Sequence, residues 1–281
     1  VEQRGNSFHF YEAPVFEPPD KSGWFWLFDG IARGDEEVEI LLGQFQTDGS
    51  GGAFGFEQSG LWWASFRVPD DGESISVTEY RPLPFFWADK AELVTFGSAI
   101  VDVDEWLYVY GIHQEGLTRS AVVARVPREK LGEASEWRFF DGSGWSSNPR
   151  SVQPLFSDAS VEYSVHRALS GEFIYVACDN NGMSDRIVAR SAPEPEGPWQ
   201  EPTEIAKLPE HKGDIFCYNA KAHPERSRDG KILLSYNVNS TDLPKVELEA
   251  DIYRPRFLWW KPERSDWFPS QSPHISRGMR P

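Results

Sequence analysis

Cysteine and methionine are scarce in this 281-residue chain, with two of each. Cys178 and Cys217 allow one disulfide at most, which excludes a cystine-stapled scaffold. No Cys-x-x-Cys pair exists, so the usual zinc spacing is missing. Long apolar runs are missing too, and nothing approaches the roughly eighteen residues of a membrane span. The opening ten residues lack the apolar segment of a secretory leader, and residue 1 is Val1 rather than Met, so it reads as a processed or cut end. Positive charge is the minority sign, with 28 Lys and Arg against 44 Asp and Glu, a net charge of −16. Such a surface repels phosphate backbones and anionic lipid, so binding to nucleic acid or to a membrane surface is not expected. It fits a neutral substrate, or a salty or extracellular setting. Helical periodicity is confined to one short stretch, Glu129–Glu136.

What the chain has is aromatic residues and strands. A hydrophobic share of 40% with 14% aromatics excludes a disordered chain. Tryptophan is over-represented, with 12 copies whose flat faces suit sugar rings and core packing alike. Short aromatic and β-branched runs, from Gly23–Asp29 to Pro255–Lys261, are separated by Gly, Asp, Asn and Pro turns. The runs align in units of four, roughly 23–82, 93–145, 159–207 and 214–262, at a spacing of ~50–65 residues that suits propeller blades. Asn6–Phe10 reads as one more strand before them. The expected fold is all-β: a five-bladed β-propeller formed by residues 1–281 as one domain, its first blade incomplete or closed by strands from both chain ends.

In a propeller the first strand of each blade lines the axis, so its polar residues face one pocket. Those strands carry Asp29, Ser98, Glu162, and then Asn219, Lys221, His223 and Glu225. Two carboxylates meeting from different blades are what glycoside hydrolysis requires, one as proton donor and one as base or nucleophile. Asp29 has a second reading as the cap of the Asp29-Gly30 turn. Glu162 interrupts the apolar run Val161-Glu-Tyr-Ser-Val165, where an unpaired carboxylate costs several kcal/mol. The strict alternation of Tyr218 to Glu225 puts Asn219, Lys221, His223 and Glu225 on one face and Tyr218, Ala220 and Ala222 on the other. Lys221 is placed to depress a carboxylate pKa, and His223 to bind substrate or help hold an axial ion. His166, on the Glu162 strand, and Asn237, on the strand after, complete the set of binding residues with Trp26. No metal centre and no organic cofactor are expected. No GxSxG elbow, HExxH pair or P-loop occurs, and Asp141-Gly-Ser-Gly-Trp145 has the composition but not the spacing of a sialidase Asp box.

Ser191-Ala-Pro-Glu-Pro-Glu-Gly-Pro-Trp199 resembles an outer-strand signature of five-bladed β-propeller glycosidases of the arabinanase/xylosidase and levansucrase/invertase groups. Glu162-Tyr-Ser-Val165, Tyr218–Glu225 and Leu233–Ser240 are similar to a bacterial propeller family, long of unknown function, that includes endo-D-arabinanases. The resemblance implies a five-bladed propeller, an extracellular or periplasmic setting, an oligo- or polysaccharide partner, and cleavage of furanoside linkages in an arabinan-like polymer. That family usually opens with a Phe-Gly-Asp-Thr strand bearing an Asp implied to be catalytic, and no such run occurs here. A non-catalytic carbohydrate-binding propeller, with Trp24, Trp26, Trp62 and Trp63 stacking on sugars, is the alternative. For the cysteines, two buried free thiols are expected, close together because Cys178 ends one strand and Cys217 opens the next inner one.

Overall fold

A computed structural model of the chain describes residues 14–52, 54–68, 75–88, 92–179, 184–264 and 267, together with the backbone of 2–4 and 7–9. Strands β1 (Glu2–Arg4) and β2 (Ser7–His9) form a hairpin that pairs with no other described strand. The first sheet follows as β3 (Trp24–Arg33), β4 (Glu37–Thr47), β5 (Phe56–Arg67) and β6 (Ser76–Leu83), antiparallel and in chain order. The second contains β7 (Trp87–Ala88), β8 (Glu92–Val103), β9 (Trp106–Glu115), β10 (Thr118–Pro127), β11 (Arg138–Phe140) and β12 (Trp145–Ser146), with β13 (Phe156–Ser157) also on β10. The third is β14 (Ser164–Arg167), β15 (Phe173–Cys178), β16 (Arg186–Ala192) and β17 (Thr203–Lys207). The fourth is β18 (Ile215–Arg228), β19 (Lys231–Ser240) and β20 (Pro255–Trp260), with helix α1 (Leu243–Leu248) between the last two.

Strand alternation builds the packing. In β19, Ile232, Leu234, Tyr236 and Val238 are buried while Leu233, Ser235, Asn237 and Asn239 are less so, the period of two expected of a sheet. Leu41, Leu61 and Trp63 of the first sheet pack against Val94, Phe96 and Val109 of the second. Tyr110, Ile112 and Val123 of the second pack against Tyr163, Val165 and Tyr175 of the third. Ile174, Val176 and Ala189 of the third pack against Cys217, Ala222 and Leu234 of the fourth. Each sheet thus presents its apolar faces to its neighbours in chain order. Burying one Leu or Phe side chain contributes about 1.5–3 kcal/mol, so truncating the fully buried Leu41 to Ala unbalances two sheets at once.

Two expectations, a helix at Glu129–Glu136 and Glu162 on a strand, need correction. The stretch Glu129–Glu136 yields only 3-10 turns at Arg128–Lys130 and Ala134–Glu136, and the α-helix lies at α1. Six residues, capped by Asp242 and entered by Pro244, are too few to show a helical period. The strand expected from Val161 starts only at Ser164, so Glu162 stands in a bend just before β14 rather than on the strand. Within the Asn6–Phe10 stretch, Ser7–His9 is a strand, but its described pairing is confined to Glu2–Arg4; Asn6 and Phe10 lie outside the described residues. Cys178 and Cys217 are free, buried and in one core, and burial pushes both thiols up to about 12. Thiols held protonated in this way are structural rather than nucleophilic.

Candidate active site

The first strands of the four sheets lie in succession, β3 beside β8, β8 beside β14 and β14 beside β18. Three of them are irregular: the register slips between Leu27 and Gly30, between Phe96 and Ala99, and between Tyr218 and Lys221. A bulge re-aims side chains and frees main-chain groups. At the first bulge Asp29 Oδ1 accepts the N–H of Gly30 at 2.9 Å, and Oδ2 accepts the N–H of Ile100 in β8 at 2.7 Å. From the second bulge the Ser98 hydroxyl donates to the Val161 carbonyl at 2.8 Å. Ser164 Oγ in turn accepts the Ala222 N–H of β18 at 2.8 Å. Side chain to main chain bonds therefore stitch the first strands together in chain order. At the second bulge Gly97 has φ 113°, and a Cβ there would meet the Phe28 ring at 2.8 Å, so no other residue fits without displacement.

Burial pushes the Asp29 carboxyl above its ordinary value, against the Lys221 ammonium and the two main-chain donors, with Glu225 adding to the rise. Burial likewise raises Glu162, and Lys221 again opposes. The Lys221 charge on β18 thus acts on both carboxyl groups, one on β3 and the other in the bend before β14. Burial works against ionisation of Glu225, yet His223 and Arg226 bring its carboxyl below the ordinary value. His223 Nδ1 lies 3.7 Å from Glu225 Oε1, and its Nε2 is 2.7 Å from Ser235 Oγ. Two carboxyl groups that keep their protons to higher pH, beside a cation, form an acid/base set of the kind hydrolases use. Among the described residues no three His, Cys, Asp or Glu side chains are placed to hold a metal ion.

The strict alternation expected for Tyr218 to Glu225 does not hold. Tyr218 pairs with Asn237, Lys221 with Ser235 and His223 with Leu233, all on one face of β19. One extra residue in β18 shifts the phase. Tyr218 therefore joins Lys221 and His223, while Ala220 and Ala222 turn into the core. Asn219 sits in the bulge at φ 53°, its Oδ1 buried without a hydrogen-bond partner among the described residues. Sequence reasoning missed Tyr218, which pairs with Asn237 on the Lys221 face and whose hydroxyl is pushed up to about 12 by burial. It also missed Ser164, whose partner Ala222 lies 58 positions away on another strand, a distance that no local pattern spans.

The remaining residues are more dispersed. His166 is 7% exposed and flanks the core of the third sheet, and burial takes its pKa down to about 4 against a backbone group of Trp267 and the Glu225 charge. Trp26 is 41% exposed, with its ring 4.1 Å from Phe45 and 4.6 Å from Phe56. Asn237 lies beside Tyr218 on the face that carries Lys221. Trp199 of the Gly197-Pro198-Trp199 run packs among Tyr110, Phe156 and Tyr175 at the second and third sheets.

A family model described as Domain of unknown function (DUF5005) matches residues 3–262. Among curated proteins, Notoamide biosynthesis cluster protein J of Aspergillus sp. (strain MF297-2) is 26% identical over 133 residues, 46% of this chain and 35% of that protein. Protein J' of the same kind of cluster in Aspergillus versicolor is 26% identical over 124 residues, 43% of this chain and 33% of that protein. The matches span about a third of the length of these relatives. A crystal structure described as "a putative hydrolase from Bacteroides ovatus" is similar with a TM-score of 0.65 at 17% identity, over 85% of this chain and 61% of that one. That likeness is one of fold. Solved structures with fainter similarity include glycoside hydrolases, among them a GH43_1 enzyme from Xanthomonas citri complexed with xylose, with a TM-score of 0.47 at 14% identity over 84% of this chain and 69% of that one. Since the family model runs over nearly the whole length, from residue 3 to residue 262, the chain belongs to the DUF5005 domain family.

Proposed function

We propose that the chain is a glycoside hydrolase cleaving furanoside linkages in an arabinan-like polysaccharide, with Glu162 as proton donor and Asp29 as the second carboxylate. The observation that carries the reading is that the inner strands β3, β8, β14 and β18 lie in succession and bring the Lys221 charge to act on two carboxyl groups raised by burial. A carboxyl group raised by burial holds its proton to higher pH and can give it to the leaving glycosidic oxygen. Asp29, held by the Gly30 and Ile100 N–H groups, has one fixed orientation, as a base or nucleophile needs. Lys221, His223, Glu225, Asn219 and Asn237 would hold the sugar hydroxyls, with Ser98, His166 and Trp26 around them. The ring is read as five blades, the β1–β2 hairpin belonging to a blade between the fourth sheet and the first. The outer face of the fourth sheet, where Phe257 is 62% and Trp259 37% exposed, supports that reading. An extracytoplasmic setting follows from the family resemblance alone.

One observation favours a second reading, a carbohydrate-binding propeller without catalysis. Both Asp29 oxygens already accept main-chain N–H groups, which is the posture of a structural staple. A substrate panel separates the two. New reducing ends from arabinan and release of nitrophenol from arabinofuranosides, but not from pyranosides, are the expected results. Retention of the polymer with no cleavage of any furanoside would favour the binding reading.

A further inference from the structure

Three aromatic rings run from the first sheet to the fourth. Phe54, in the loop between β4 and β5, is 60% exposed, and its ring centroid lies 5.8 Å from that of Phe216. Phe216 in turn lies 5.6 Å from Tyr218. In the same loop Asp48 Oδ1 accepts the Ser50 N–H and hydroxyl, each at 2.7 Å, and the Asp48 N–H donates to the Gly55 carbonyl at 3.2 Å. Phe216 and Tyr218 pair with Asn239 and Asn237, so amide groups border the rings on the same face. Tyr253, 65% exposed, donates its N–H to the Val238 carbonyl at 3.0 Å and stands at the same end of the fourth sheet. Phe216 and Tyr218 are half-buried, and leaving Phe54 and Tyr253 in water forgoes burial that a closed core would supply.

We infer that Phe54, Phe216 and Tyr218 form a stacking platform for a neutral polysaccharide, holding a length of polymer beside Glu162. The rings stand 5.8 and 5.6 Å apart and tilted by 44° and 41°, so they offer a stepped row of apolar faces on which the C–H faces of sugars can stack, while the amides and the Tyr218 hydroxyl meet the sugar hydroxyls. The net charge of −16 disfavours an acidic polymer. The platform deepens the hydrolase reading, since it makes a polymer a better substrate than a short glycoside, but binding to it does not require that Glu162 act as an acid. The alternative role for the three rings is a plain apolar latch between the first and fourth sheets, which a leucine would serve equally well.

The full chain is tested on soluble arabinan by affinity electrophoresis and, where it cuts, by KM for arabinan against a nitrophenyl arabinofuranoside. Phe54→Leu is expected to weaken retention, and to raise KM for arabinan, about tenfold. Its turnover of the small glycoside should be unchanged. Phe54→Trp should restore retention, and Phe257→Leu, on an exposed ring outside the row, should change nothing. Unaltered retention and KM in Phe54→Leu, or an equal loss in Phe257→Leu, would overturn the platform while leaving a Glu162-dependent cleavage standing. Phe54-dependent retention without any cleavage by the parent would sustain the platform and sink the hydrolase. A parent that neither retains nor cuts arabinan contradicts both.

Discussion

Asp29 and Ile100 are joined across two sheets, the carboxylate Oδ2 accepting the main-chain N–H at 2.7 Å. The same carboxyl group caps Gly30 and lies in the field of Lys221 and Glu225. A residue proposed for chemistry thus also fixes the spacing of β3 and β8, and its two roles are separable by substitution.

Asp29→Ala leaves the half-buried Ile100 and Gly30 donors without that acceptor. The expected loss is about 1–3 kcal/mol of unfolding free energy. Asp29→Asn keeps one amide oxygen and should lose less. Urea denaturation of the three proteins checks this, and an Ala variant as stable as the parent would remove Asp29 from the scaffold.

Lys221→Met removes the cation that opposes the rise of both Asp29 and Glu162. Both carboxyl groups should then titrate higher still. A raised carboxyl gives stability that is full below its unfolded value and is lost as pH rises through its folded value. The variant should therefore lose more stability than the parent on going from acid to neutral pH. If Glu162 is the proton donor, the alkaline limb of kcat/KM should also move to higher pH. An unmoved limb, measured from pH 4 to 9, would count against Lys221 as the group that tunes it.

His166 supplies the opposite pH signature. Burial takes its pKa from 6.5 to about 4, so the unfolded chain binds the proton first. Its contribution to stability is whole above pH 6.5 and is lost as pH falls toward 4, a difference on the order of 3 kcal/mol. His166→Leu should flatten that part of the stability curve. Thermal melts from pH 7 to 4 whose slope is the same in both proteins would disprove the assignment.

At the β18 bulge Asn219 has φ 53°, a left-handed conformation that Asn and Gly tolerate and β-branched residues do not. Asn219→Val should cost about 1–3 kcal/mol and Asn219→Gly far less. It should also disturb the alignment of Tyr218 with Lys221, so polymer binding should fall with stability. Equal stability of the Val and Gly variants would mean that the bulge is not under that constraint.

The strand-rich character of the fold is visible in the sequence because period-two alternation and turn residues are local signals. Val38–Gln46, Trp106–His113 and Lys231–Asn237 all fall inside strands. Side-chain phase along β18 is not local. It depends on one extra residue between Tyr218 and Lys221, which alternation alone cannot reveal, and so Tyr218 reads as core while the structure puts it beside Lys221. Asp29 is ambiguous in sequence for the same reason, since its second partner, Ile100, lies 71 positions away. Glu162 is legible as a carboxylate inside an apolar run, but the bend that holds it before β14 is set by the Ser98 bond to Val161. Asp141 also acts on its own turn, accepting the Ser143 and Gly144 N–H groups at 3.0 and 2.8 Å, a local role that suits its Asp-Gly-Ser-Gly composition.

The most direct trial of the hydrolase reading is the initial rate of reducing-end release from arabinan by the parent and by Glu162→Gln, at equal concentrations of folded protein. The amide keeps the shape of the side chain and removes the proton it would donate. Removal of a carboxyl group raised by burial should leave stability at neutral pH undiminished. The account predicts a folded variant whose rate is about 10²–10⁴-fold lower than the parent's. A folded Glu162→Gln protein that cleaves arabinan at the parent's rate would contradict it.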